Sequence, residues 1–184
     1  MTRLALVKGR KGAAWWIHSG SVFVSANLEG GFLSSLRVEF HGELARLPSL
    51  KNSKLPGKNF INPDTLDRLQ AMQVHFERSA RVYPSKALHF QKEPLVALLV
   101  CSKRKTRFDL DNCAASVKDW LEPNTKRGRG WGVGVVEDDS QLTVFPIHAS
   151  QYEKQIEYSL LLVRRWADVQ GDFRRFSESA FDGV

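Results

Sequence analysis

Short apolar runs of β type, punctuated by glycine, fill the first third of the chain. Leu4 to Lys8, Ala13 to Ile17, Ser21 to Ala26 and Leu33 to Phe40 read as strands, and Val22, Val24 and Ala26 alternate as one covered face requires. Gly9, Gly12, Gly20 and Gly30-Gly31 fall between the runs and supply the positive φ angles of tight connections, so hairpins are expected. The stretch LPSLKNSKLPGKNF, residues 47 to 60, has no regular apolar pattern and reads as a long basic loop.

Helical spacing begins after that loop. Asn62 is placed as an N-cap with Pro63 at the first helical position, and Leu66, Leu69, Met72, Phe76 and Ala80 recur on one face of a helix of about five turns ending near Pro84. Pro94 then opens LVALLVC, a continuous apolar run that predicts a strand buried on both faces. A basic cluster, Lys103-Arg104-Lys105-Thr106-Arg107, leads into a second helix on Leu110, Cys113, Val117 and Trp120, stopping at Pro123. A connection rich in Gly and Arg, 126 to 134, precedes two further strands, Leu142 to His148 and Ile156 to Arg164. The tail from Ala167 either docks or stays loose. The pattern predicts an α+β fold, a mixed β-sheet with packed helices extended by an N-terminal β-hairpin element.

Composition narrows the class. A chain of 184 residues, 42% hydrophobic and 26% charged, can bury a core as about one domain with an appendage, which excludes a wholly disordered protein. Lys and Arg number 27 against 20 acids, net +7, so a polyanion is the expected partner. Cys101 and Cys113 lack metal-site spacing and read as reduced core cysteines of a cytoplasmic protein. The apolar run at Leu4 to Val7 is too short for a signal peptide or membrane span, so no membrane partner is expected.

Candidate chemistry gathers where the buried strand exits toward the second helix. Phe108-Asp109-Leu110-Asp111-Asn112 follows four positive charges in five residues, and Glu137-Asp138-Asp139 supplies further acids downstream. Two Asp separated by one apolar residue, joined by an acid from that turn, can form an oxygen cage for Mg²⁺ while the cations hold phosphates. The alternative is purely structural: Asp111 caps the helix, and Asp138 and Asp139 shape a turn before a strand.

The succession of basic run, DLDN at a helix start, helix and DDSQ turn resembles the RusA family of Holliday junction resolvases. More loosely, Leu47-Pro48-Ser49 with Asn52 looks like that family's early proline and asparagine loop. The resemblance covers about residues 34 to 165, leaving 1 to 33 as the hairpin extension and 166 to 184 as the tail. It implies a RusA-like core, a homodimer, and Mg²⁺, with Mn²⁺ able to substitute, bound by Asp109, Asp111 and Asp139 beside Asp138. The implied activity is paired phosphodiester hydrolysis in branched DNA, by a cytoplasmic protein that is nucleoid-associated or phage-encoded. The family's lysine, four residues after the second Asp, is replaced by Ala115; Lys118, Lys103, Lys105 and Arg107 are the candidate stand-ins. A flap nuclease and a non-cutting binder of branched nucleic acid are the alternatives.

Lys103, Arg104, Lys105, Arg107, Phe108, Asn112, Lys126, Arg127 and Arg129 are the expected DNA contacts, with Phe108 a wedge or a core residue. Trp15-Trp16 suits a core or interface role better than base stacking. The five histidines, His18, His41, His75, His89 and His148, show no metal-ligand spacing and are assigned no role.

Overall fold

The computed structural model describes residues 7–8, 14–15, 20–48, 62–84, 87–101, 110–123, 131–148 and 158–181. Two short strands, β1 (Val7–Lys8) and β2 (Ala14–Trp15), pair antiparallel as an element of their own. β3 (Gly20–Glu29) and β4 (Phe32–Gly42) form a long hairpin that turns at Gly30 and Gly31, with φ of 58° and 86°. Both angles lie in the left-handed region that side chains avoid, so the paired glycines set where the chain reverses.

β3 and β4 continue into one five-stranded sheet with β5 (Leu95–Cys101), β6 (Leu142–His148) and β7 (Tyr158–Arg165), in the order β3-β4-β7-β5-β6. The expected boundary at residue 33 therefore falls inside β4, because β3 is hydrogen-bonded along a strand that also pairs with β7. β5 and β6 are parallel and every other neighbouring pair is antiparallel, so the sheet is mixed and the fold is α+β. A parallel pair requires a crossover, and α2 (Leu110–Leu121) lies between the two strands in the chain.

One face of the sheet carries the core. Val38 and Phe40 of β4, Ala97 and Leu99 of β5, and Leu161 and Val163 of β7 are buried against Leu69, Met72 and Phe76 of α1 (Pro63–Ser79) and Val117 and Trp120 of α2. The opposite face is partly covered by α3 (Trp166–Phe181), whose Phe173 packs against Phe145 of β6 at a ring distance of 5.8 Å. This corrects one expectation and decides another. β5 alternates between buried and half-buried positions rather than being sealed on both sides, because only α1 and α2 cover a face fully. Of the two outcomes open for the tail it docks, as a helix whose Trp166, Val169 and Phe173 recur at a helical interval that its acids and Gly171 obscured. Cys101 and Cys113 are buried and unbonded to each other, as read.

Asn62 caps α1 as expected, its side chain accepting the Asp64 N–H at 3.0 Å with Pro63 at the helix start. Asn62→Ala is expected to cost about 1 kcal/mol in urea unfolding. Asn62→Asp, which keeps the acceptor, is expected to leave stability within a few tenths of that of the unaltered chain, and an equal loss in both variants would mean the cap contributes nothing.

Candidate metal centre

The end of α2 is sealed by the chain that returns to it. Val133 N–H donates to Trp120 O at 2.9 Å, Val135 N–H to Leu121 O at 2.9 Å and Gly134 N–H to Glu122 O at 3.1 Å, using carbonyls that a helix end leaves open. Gly134 has φ 68°, and its carbonyl accepts from His89 Nδ1–H at 3.0 Å, which fixes that ring's tautomer. His89 thus has a structural part that sequence spacing did not assign. Val135 and Val136, fully buried, then carry the chain to the acidic turn.

That turn is a single 3-10 turn, Asp139–Gln141, closed by a capping box. Asp138 accepts the Ser140 N–H at 2.9 Å, while Gln141 Oε1 accepts from Glu137 N–H at 3.0 Å and Asp138 N–H at 3.1 Å. The same amide donates to Gln91 O at 3.1 Å and Glu93 O at 3.3 Å, pinning the turn to the approach to β5. The structural role expected of Asp138 is therefore realised.

Glu122, one residue past α2, is the member that sequence reasoning missed. It is 0% exposed and accepts the Asp139 N–H at 2.9 Å. An acid at a helix C-terminus opposes the helix dipole, and a buried carboxylate is costly unless compensated, so an acid between Leu121 and Pro123 was the available signal. One ligand oxygen each from Glu122, Asp138 and Asp139 lies within 4.8 Å of the others. Carboxylates this close repel unless a cation or a shared proton sits among them. The donors are all oxygen, which suits a hard divalent cation and not a thiolate or imidazole metal.

Asp111 does not join this group. It is exposed in the first turn of α2, and the helix rises about 16 Å between Asp111 and Glu122. Ala115 is exposed and Lys118 half-buried on the same helix, whereas Asn112 is buried rather than on an open surface. Asp109, Phe108, Lys103, Arg104, Lys105, Arg107, Lys126, Arg127 and Arg129 lie outside the described residues, as do Trp16 and His18. Among the expected metal ligands, then, the described structure brings together Asp138 and Asp139 and adds Glu122.

Among the described residues no helix is long and apolar enough to cross a membrane. No family model, curated protein or solved structure matches the chain.

Proposed function

We propose that this chain is a divalent-metal-dependent endodeoxyribonuclease that hydrolyses phosphodiester bonds in branched DNA, in the manner of the RusA family it resembles. The observation that carries the reading is the carboxylate group of Glu122, Asp138 and Asp139, because two of its members belong to the DDSQ turn that carries the resemblance. Mg²⁺ is the proposed ion, with Mn²⁺ as a substitute. A hard cation bound there supplies a water of lowered pKa and stabilises charge on a phosphoryl oxygen.

The chain's own residues hold and orient. Half-buried Asp138 and Asp139 and buried Glu122 bring their oxygens together, and Gln141 holds the turn through four hydrogen bonds. The net charge of +7 draws a polyanion toward the protein, with the basic run 103 to 107 and Lys126, Arg127 and Arg129 as proposed phosphate contacts. A homodimer with one acidic group per subunit would match the near two-fold symmetry of a four-way junction. The proposed setting is the cytoplasm.

Ala115 favours a second reading, a protein that binds branched DNA without cutting it, since an exposed methyl group replaces the family's phosphate-neutralising lysine. Labelled four-way junction, flap and duplex DNA, each with chelator, Mg²⁺, Mn²⁺ or Ca²⁺, decide between the two. Cleavage of a branched substrate with Mg²⁺ and Mn²⁺, and none with chelator or Ca²⁺, is expected, because calcium takes more ligands at longer distances and loses in-line geometry. Full activity in chelator would sink the metal reading. Junction binding with no cutting under any ion would establish the second.

A further inference from the structure

The sheet face turned away from α1 and α2 carries a row of aromatic side chains across three adjacent strands. His41 of β4 pairs with Tyr158 of β7 in register, and their rings stack at 5.2 Å with planes 21° apart. Phe23 of β3 lies across from Glu39 on that face and meets the His41 ring edge to face at 5.2 Å. With that contact made, Phe23 is still 55% exposed among the described residues, an unusual position for a large apolar ring. Phe173 of α3 reaches Phe145 on β6, at the other edge of the sheet.

Cations continue the row. Alternation along β4 puts His41, Glu39, Arg37 and Ser35 on one side, and Ser35 pairs with Arg164 of β7. From Tyr158 to Arg164 the strand advances about 20 Å. Glu39, the one acid in the row, is already committed: it bonds His41 Nε2 at 3.0 Å and Arg37 at 2.6 and 2.9 Å, and these partners, His41 first, hold its carboxyl below the usual range. Among the described residues no carboxylate pairs with Arg164. It lines an open cavity of about 630 Å³ with Asn27, Ser35, Glu29 and Asp168, and both of those acids are taken up by Arg165.

We infer that the open face of β3, β4 and β7 is a binding platform for single-stranded DNA, with unpaired bases stacking on Phe23 and Tyr158 and the phosphate backbone running past Arg164. Every base has a π face, so ring stacking tolerates any sequence, and cations beside the rings track the backbone. The choice of DNA over RNA rests on the proposed action on branched DNA. The platform itself does not, because it shares no residue with the acidic turn.

Fluorescence anisotropy of a labelled oligo-dT with the full chain tests this, with oligo-U and duplex DNA of equal length as competitors. The unaltered chain is expected to bind oligo-dT more tightly than either competitor. Phe23→Ala and Tyr158→Ala are each expected to weaken binding at least about 5-fold, and Arg164→Ala to lower the salt slope by about 0.7. Phe23 and Arg164 are exposed, so circular dichroism of those two variants should match the unaltered chain, and Asp139→Asn should bind oligo-dT normally. That last result separates the platform from the nuclease reading: oligo-dT binding sensitive to Phe23 stands even if no branched DNA is ever cut. Absence of oligo-dT binding, equal binding by Phe23→Ala and Arg164→Ala, or tighter binding of oligo-U or duplex would overturn the inference.

Discussion

Asp139→Asn is expected to reduce Mg²⁺-dependent junction cleavage by more than about 10²-fold, since losing a partner of a metal ligand already costs 10 to 100-fold and here the ligand itself is lost. The fold should survive, because the bond to Glu122 uses the Asp139 backbone N–H, which the substitution retains. Junction binding should persist or tighten, since one negative charge near the phosphates is gone. Glu122→Gln keeps an oxygen for the Asp139 N–H and should likewise lose cleavage more than stability. Asp111→Asn supplies the contrast. With Asp111 exposed about 16 Å along α2 from Glu122, the described metal centre predicts cleavage within a few-fold of the unaltered chain. A loss equal to that of Asp139→Asn would instead show that the DLDN carboxylates take part in the reaction, as the resemblance implies. Unchanged cleavage in Asp139→Asn would remove the acidic turn from the mechanism.

Trp120→Ala is expected to cost about 3–5 kcal/mol, a large fraction of the roughly 5–15 kcal/mol that holds a typical domain folded. Trp120 is 0% exposed on α2, with ring contacts at 5.5 Å to both Phe40 of β4 and Phe76 of α1. One side chain thus joins both core helices to the sheet, and its carbonyl receives the Val133 N–H that starts the return toward the acidic turn. Its indole N–H is buried without a hydrogen-bond partner among the described residues, which carries a penalty of about 1–3 kcal/mol. Trp120→Phe removes that donor along with part of the ring volume, so it should cost clearly less than Trp120→Ala. Urea unfolding measures both, and equal losses would mean that a phenyl ring restores none of the packing of Trp120 against Phe40 and Phe76. If the turn depends on this packing, Trp120→Ala should also weaken any Mg²⁺-induced rise in melting temperature.

Much of the architecture was legible in the chain because the chemistry that specifies it is local. Asn62-Pro63 starts α1 through a cap and a preset φ, Gly30-Gly31 reverse the β3–β4 hairpin, and the interval from Leu110 to Leu121 closes one apolar stripe before Pro123. The strand Leu142–His148 has the bounds its β-type composition indicated. Each of these depends on residues a few positions apart, whose preferences survive whatever the rest of the chain does. Association at a distance was not legible. Nothing near Glu122 announces that its carboxylate meets Asp139 seventeen residues on, and nothing near His41 announces Tyr158 or the open face they share with Phe23. The insertion of β7 between β4 and β5 sets the second of these encounters, and the crossover from β5 to β6 sets the first. Strand order and helix packing minimise the free energy of the whole core, so the residues they bring together are a property of the assembled sheet and not of any segment within it.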